Sequence, residues 1–436
     1  MRCLRRRRRR LRLRANAAPF FGCAGRRVLL VTPRSSYRIA PYLTAAASLG
    51  ISARVASQGE HSLVEAVAGG LQLDFSDPDQ ALETLLEACH REPVDAVLAT
   101  DDSTVELAAR AAARLHLAHN APEAAALSRR KDLARQCLAG AGLPVPPFRV
   151  IHPARLSDAD VRAVGFPCVV KPLSLSGSRG VIRADDLDTL QRAVVRAAAI
   201  AARQSEPGDQ AAGHLLLEGF IPGPELAVEG VLHQGRLQIL AVFDKPDPLD
   251  GPYFEETYYV TPSRHSAEVL ARVRARVGAA CAAFGLRQGP VHAELRLHAG
   301  DAWLLELASR TIGGQCARLL RFGVPFGIEE MVLAQAVGCP VALPWRADSL
   351  GVLMLPIPER GILRRVEGVM DALAVPGIED LEISVREGYE LVPLPEGSAY
   401  LGFMFARGRT PAEVERALRA AHRCLRVVTA PVLPVA

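Results

Sequence analysis

VHAELRLHAGDAWLLELASRTIGG, residues 291–314, alternates apolar and polar side chains on both sides of a break that contains a glycine. Val291–Leu297 and Trp303–Ser309 have the period of two that strands require, and His298–Ala302 between them predicts a β-hairpin with a five-residue loop. Parity places Val291, Ala293, Leu295, Leu297, Trp303, Leu305 and Leu307 on one face. His292, Glu294, Arg296, Glu306 and Arg310 fall on the other. A hairpin centred on Gly300 sets Glu294 opposite Glu306, with Cβ atoms roughly 5 Å apart. Two carboxylates at that spacing repel, which leaves two readings: a hard divalent cation held between them, or a solvated face screened by Arg296 and Arg310.

Upstream of the hairpin, Phe166–Pro172 (FPCVVKP) reads as a buried strand ending in lysine. The small-residue loop Leu173–Gly180 (LSLSGSRG) follows, and then a short strand, Val181–Ala184. A loop of this kind offers backbone N–H groups and hydroxyls to phosphate oxygens. It is not a P-loop, because no Gly-Lys pair occurs in the chain and the loop leads into a strand. Further along, a polar stretch over 204–213 reads as a mobile loop. Glu218 and Glu225 then bracket a Pro/Gly turn between the strands 214–219 and 226–232. The segment 243–264 carries Lys245 and five of the 22 aromatic residues without clear periodicity; its Glu255 and Glu256 are candidates for a general base, with solvated loop acids the preferred reading. A helix over 269–284 leads into the hairpin.

Lysine is scarce: of 52 basic residues only Lys131, Lys171 and Lys245 are lysine. Ammonium and guanidinium bind phosphate differently, so three lysines in a chain that otherwise uses arginine become three site candidates.

The N-terminal third alternates short buried strands (27–32, 51–57, 94–100) with helices, which predicts a parallel-sheet α/β domain. The first strand runs into Pro33-Arg34-Ser35-Ser36, so the dinucleotide glycine fingerprint is absent. Asp101 and Asp102 at a strand's carboxyl end could face a ligand cleft, but capping of the following helix and solvation is the preferred reading.

At 436 residues the chain can bury two or three cores. No stretch approaches the roughly 18 uninterrupted apolar residues of a membrane span. The net charge of +5 comes from nine arginines in residues 1–14; the remainder carries 5 − 9 = −4, so the body is mildly acidic and no specific nucleic-acid binding is expected. The arginine block and the weakly apolar stretch after it mimic an export signal, but Asn16 and Pro19 interrupt that stretch, and a disordered arm or an upstream start is the preferred reading. Nine scattered cysteines, with no C-x-x-C pair, point to reduced thiols and a cytoplasmic setting.

Taken in order, these pieces resemble the ATP-grasp superfamily, most nearly its carboxylate-amine ligases of the L-amino-acid ligase type, over residues from about 27 to 436. The fold class so implied is α/β plus α+β. An Arg-rich tail (1–26) would precede an N-terminal α/β (pre-ATP-grasp) domain (27–120), a two-lobed ATP-grasp domain (121–340) and a small C-terminal α+β domain (341–436). The resemblance assigns Lys131 and Lys171 to the nucleotide phosphates, Lys171 also to adenine, and Ser176, Gly177, Ser178 and Gly180 to a phosphate lid. It assigns Glu218, Phe220 and Ile221 to the adenine hinge, Glu225 to the ribose, Glu294 and Glu306 to magnesium or manganese, and Arg310 to phosphate or substrate carboxylate. One position departs: the family pattern Glu-x-Asn-x-Arg is Glu306-Leu307-Ala308-Ser309-Arg310 here, and alanine cannot ligate a metal. Bridging by Glu306, compensation by Ser309 or His292, or a weakened second metal site are the alternatives.

The implied function is an ATP-dependent, ADP-forming carboxylate-amine ligase working through an acyl phosphate, with amino acids among its substrates. Arg310 and Lys245 are candidates to bind an acidic substrate group. A bicarbonate-activating carboxylase is disfavoured because Thr311–Gly314 lacks the acidic and histidine residues of that family. A nucleotide-binding protein with lost catalysis has only Ala308 in its favour. Expected partners are a small-molecule carboxylate and an amine, with ATP and the metal as cofactors and no membrane; a homodimer is left open.

Overall fold

RVLLVT shows no alternation because both of its faces are covered: β1 (Arg27–Thr32) is buried at every position after Arg27. It pairs in parallel with β2 (Ser52–Gln58) and β4 (Ala96–Ala99), and β3 (Leu71–Leu73) lies outside β2, giving the order β3-β2-β1-β4. Helix Ile39–Leu49 packs on one face through Tyr42, Ala45, Ala46 and Leu49. Helices Pro78–Arg91 and Val105–Arg114 cover the other through Leu85, Leu86, Ala108 and Ala111. The structure, a computed structural model, describes residues 22–34, 36–58, 70–204, 210–321, 326–339 and 348–432. Most of the expected N-terminal tail (1–21) lies outside them, but its last residues are corrected. Cys23 is fully buried, and the Gly25 N–H donates to Gly50 O at 2.9 Å, so the packed body begins before residue 27. The core of the expected mobile loop, residues 205–209, also lies outside the described residues.

A four-stranded antiparallel sheet follows: β5 (Phe148–Ile151), β6 (Cys168–Pro172), β7 (Ile182–Ala184) and β8 (Leu215–Gly219) in the order β5-β8-β6-β7. Helix Leu187–Gln204 buries Leu190, Ala193, Val194 and Ala197 against it. An eight-stranded antiparallel sheet comes next, built on β9 (Glu225–His233), β10 (Arg236–Lys245), β11 (Tyr258–Thr261), β12 (Gly289–His298) and β13 (Asp301–Ala308). It continues beyond residue 348 through β14 (Ser349–Leu355), β16 (Ile378–Ile383) and β18 (Gly402–Gly408), in the order β13-β12-β9-β10-β11-β14-β18-β16. The last hundred residues therefore extend the sheet that carries the hairpin. They also add a small sheet of β15 (Gly361–Glu367), β17 (Glu390–Leu391) and β19 (Arg426–Ala430). No described helix is long and apolar enough to cross a membrane.

The 291–314 hairpin forms, with Glu294 directly opposite Glu306, but by a different route from the one parity suggested. His298 pairs with Asp301 across a two-residue turn, Ala299-Gly300, in which both residues are left-handed (φ +50° and +78°), as a type I′ hairpin turn requires. The five-residue loop is thus replaced by a tighter one, which alone would shift the register by one. A bulge at Leu305 restores it, since Leu295 pairs with Leu304 while Glu294 pairs with Glu306. The bulge also corrects the faces. Ala302, Leu304 and Leu307 join Val291, Ala293 and Leu295 in the core against helix Ala267–Phe284, whereas Trp303 and Leu305 are only half-buried. Gly300→Ala is expected to destabilise the hairpin by about 1 kcal/mol, read by the fluorescence of Trp303 during urea unfolding. A Cβ there meets no atom within 4 Å, so the cost is conformational rather than steric.

Candidate active site

Lys171 stands at the end of β6 and Glu218 near the end of β8, where antiparallel pairing turns both side chains to the same place. Lys171 Nζ lies 2.6 Å from Glu218 Oε1, and Arg135 Nε reaches Glu218 Oε2 at 2.7 Å. Burial alone would push the Glu218 carboxyl up. Arg135 and Lys171 outweigh it and hold it down at about 2. Arg135, one helical turn after Lys131, also donates to Leu305 O at 2.9 Å, so the bulged residue of the hairpin is tied to the neighbouring lobe. Lys131 Nζ donates to Leu175 O at 2.5 Å. Burial lowers its pKa and nearby Lys171 adds to that, while Glu306 opposes it.

Around these groups lies a narrow cleft, lined among others by Lys131, Lys171, Ser176, Ser178, Glu218, Phe220, Ile221, Glu225, Glu294 and Glu306. The expected nucleotide and metal residues are thereby brought together. Gly177 and Gly180 belong to the same loop, where Gly177, Ser178 and Gly180 all have positive φ. The Gly180 N–H is already engaged, by Pro395 O at 3.0 Å. Of the hinge groups, the Phe220 N–H is taken by Pro167 O at 2.9 Å and the Ile221 carbonyl accepts from Arg296 at 2.8 Å.

Three expectations change at the next turn of the site. Lys245 is not free to meet a substrate: it is buried, 2.6 Å from Glu225 Oε1, 3.3 Å from Glu294 Oε1, and hydrogen-bonded to Glu256. Burial would lower its pKa, but the three carboxylates raise it well above the ordinary lysine range. Glu225 has both oxygens engaged, since Arg296 Nε reaches Oε2 at 2.9 Å. Glu256 is not a solvated loop acid, for it bonds Lys245 and accepts from Tyr259 Oη at 2.7 Å, and burial, with Glu294 nearby, raises its pKa. The carboxylates of Glu225, Glu256 and Glu294 would suit a metal by spacing, but the Lys245 ammonium already sits among them.

Glu294 and Glu306 stand directly opposite one another on β12 and β13. Glu294 is held down at about 2: burial raises it, and Lys245 and then His292 overcome that. Among the described residues no donor reaches the half-buried Glu306 carboxylate, which leaves a hard oxygen ligand available. His292 links Glu294 Oε1 (3.4 Å from Nε2) to the fully buried Glu229 (Oε2 3.2 Å from Nδ1). Burial lowers the His292 pKa, but its bonds to Glu229 and Glu294 carry it up to about 9. Ser309 does not compensate for Ala308, because its hydroxyl is 2.8 Å from that of Ser128 and lines a different cavity.

The cleft opens into a wider chamber, and the two share Leu175, Ser176, Ser178, Glu256, Glu294 and Glu306. Arg310 faces this chamber, its Nε 2.8 Å from Asp102, while Asp101 holds Arg38 at 2.5 Å. The two aspartates therefore position arginines in the chamber wall. Neither is the side-chain helix cap the sequence suggested, since the turn and the helix after them carry no such cap bond. Burial would raise the Asp102 pKa, and Arg310 outweighs it. Phe403 on β18 and Tyr400 just before it also line the chamber. Sequence reasoning missed Arg135 and Glu229, although both follow from spacing: Arg135 is four residues after Lys131 on a helix, and Glu229 shares the parity of Glu225 on β9.

The sequence matches the ATP-grasp N-terminal domain over residues 43–119, the ATP-grasp domain over 164–318, and the L-amino acid ligase C-terminal domain 2 over 353–430. The chain belongs to the ATP-grasp superfamily. Within it, the fold is similar to that of an L-amino acid ligase from Bacillus licheniformis (TM-score 0.78, 22% identity, 93% of this chain and 99% of that one). Dapdiamide A synthase of Enterobacter agglomerans is 28% identical over 270 residues, 59% of this chain and 60% of the relative. The uncharacterized protein y4rH of Sinorhizobium fredii (strain NBRC 101917 / NGR234) is 25% identical over 278 residues, 63% of this chain and 56% of the relative. The matched region thus spans less than two thirds of the length of these two curated relatives.

Proposed function

We propose that the protein is an ATP-dependent, ADP-forming ligase that joins a carboxylate to an amine through an acyl phosphate, with amino acids as the substrate class. The observation that carries this reading is the continuity of the two cavities: the walls they share include the lid serines and the carboxylates Glu294 and Glu306, so a nucleotide's terminal phosphate would face the wider chamber. In this reading Lys131, Lys171 and the Ser176–Gly180 lid bind phosphate, and Glu218, Phe220 and Ile221 border the adenine. Glu225 borders the ribose while fixed by Lys245 and Arg296.

The chemical problem is attack of one anion on another. Magnesium or manganese, held by Glu294 and Glu306, would supply Lewis-acid stabilisation of the transferring phosphoryl group. The chain's own contribution is positional and electrostatic. Lys131 and Arg310 add positive charge on the two sides of the junction, and preorganised groups of this kind act strongly where water is excluded. Lid contacts support that exclusion: besides the Gly180 bond to Pro395, Gln204 donates to Glu396 O at 2.7 Å and Arg196 pairs with Glu396 at 2.6 Å. The lobe carrying the lid is thus fastened over the chamber, as an intermediate prone to hydrolysis requires.

The test is magnesium-dependent release of ADP and phosphate, screened over pairs of amino acids and over simple carboxylates with amines. Release that responds to a pair, with a ligated product by mass spectrometry, is the expected result. Release of AMP, or phosphate release indifferent to every pool, would overturn the reading.

A further inference from the structure

A carboxylate that is to present one oxygen to a cation must have its other oxygen held, or it rotates. Glu294 meets that condition, since its Oε1 is approached by Lys245 Nζ at 3.3 Å and by His292 Nε2 at 3.4 Å. His292 is itself fixed from behind. Its Nδ1 is 3.2 Å from Oε2 of Glu229, whose other oxygen accepts the Ile312 N–H at 3.0 Å. Glu229 is 0% exposed and is the direct cross-strand neighbour of His292 on β9. On its other side, His292 is paired with Ala308 on β13. Directly opposed residues project to the same face with Cβ atoms roughly 5 Å apart, so an imidazole there contests the space that a longer side chain at 308 would need.

We propose that Glu229 and His292 form a positioning pair that aims Glu294 at the cation site, and that Ala308 is small because the imidazole occupies the place of a ligand from β13. The inference deepens the ligase reading and rests on it. It gives the alanine a physical reason: the site keeps a rigidly oriented Glu294 on β12 instead of a second ligand beside Glu306 on β13. The Ile312 bond adds a second consequence. The same Glu229 carboxylate fixes the segment two residues after Arg310, so the metal carboxylate and the chamber arginine are set by one buried acid.

The experiment measures Mn2+ binding to the full chain in the presence of ADP, by the loss of the free-ion electron paramagnetic resonance signal, with no turnover required. Glu229→Gln, which keeps the shape, and His292→Ala are each expected to weaken Mn2+ binding about 10-fold or more, with ADP affinity measured without metal as the control for folding. The double variant should bind no more weakly than the worse single one, because the two act as a unit. Ala308→Asn alone should also weaken binding, and in the His292→Ala background it should recover most of the loss. Unchanged Mn2+ affinity in Glu229→Gln and His292→Ala would overturn the pairing, as would tighter binding by Ala308→Asn with His292 intact. Absence of nucleotide-dependent Mn2+ binding in the unaltered protein would overturn the ligase reading with it, whereas intact binding that ignores the variants overturns this inference alone.

Discussion

Glu306→Gln is expected to lower magnesium-dependent ADP release at least about 10³-fold, the scale on which a preorganised charge acts on a developing anionic transition state. Glutamine keeps the length and the hydrogen-bonding shape of glutamate, so the hairpin should survive. What disappears is the charge of a half-buried carboxylate that no described donor reaches, directly opposite Glu294 and beside the Lys131 ammonium. In place of a hard oxygen anion the variant offers a neutral amide, whose N–H groups can donate to Glu294 and close the gap that a cation needs. The loss should therefore fall on turnover and metal dependence, with ADP affinity in the absence of metal little changed. Glu83→Gln is the comparison, since Glu83 is an exposed helix residue 3.5 Å from Arg114 and distant in role from the hairpin. Retention of more than about a tenth of the activity by Glu306→Gln would show that the carboxylate is not part of the reacting centre.

The opposed glutamates were legible because cross-strand pairing is set by alternation and by the position of the turn, and both are local properties of 24 residues. The route was not legible. Ala299 adopting a left-handed conformation beside Gly300 shortens the loop, and the bulge at Leu305 takes up the difference; the stretch Trp303-Leu304-Leu305 is apolar throughout, so periodicity cannot say which leucine is core. Arg135 supplies what the sequence of the hairpin lacks, a partner for the displaced Leu305 carbonyl. Lys171 and the serine-glycine loop were legible from lysine scarcity and composition. The fate of Lys245 was not, because Glu225, Glu256 and Glu294 reach it from three different elements, and Glu256 lies in a segment without periodicity. Long-range ion pairs of this kind leave no mark on local pattern. For Asp101 and Asp102 the position at a strand's carboxyl end left a cleft open as the second reading, but their partners, Arg38 and Arg310, are 63 and 208 residues away and could not be read from it.

Glu218→Gln is expected to destabilise the protein by about 3 kcal/mol at neutral pH, because it leaves two buried or nearly buried cations without their counter-charge. The Arg135 and Glu218 side chains are each 3% exposed and that of Lys171 is 13% exposed, so water cannot replace the lost partner. The same pair of cations gives the effect a pH signature. They hold the folded-state Glu218 carboxyl at about 2, below the ordinary value of 4.5, so its contribution is fully present above about pH 4.5 and is lost as pH falls through about 2. At roughly 1.4 kcal/mol per pKa unit, that difference corresponds to about 3 kcal/mol, in line with the cost of breaking the pair. Urea unfolding followed by Trp303, two residues from the Leu305 carbonyl that Arg135 binds, should show the variant's midpoint well below that of the unaltered protein at pH 7. The gap should narrow steadily as the pH is lowered below about 4.5, because only the unaltered protein then loses this contribution. A gap that stays constant across that range would mean that Glu218 contributes through its shape and hydrogen bonds rather than through its charge.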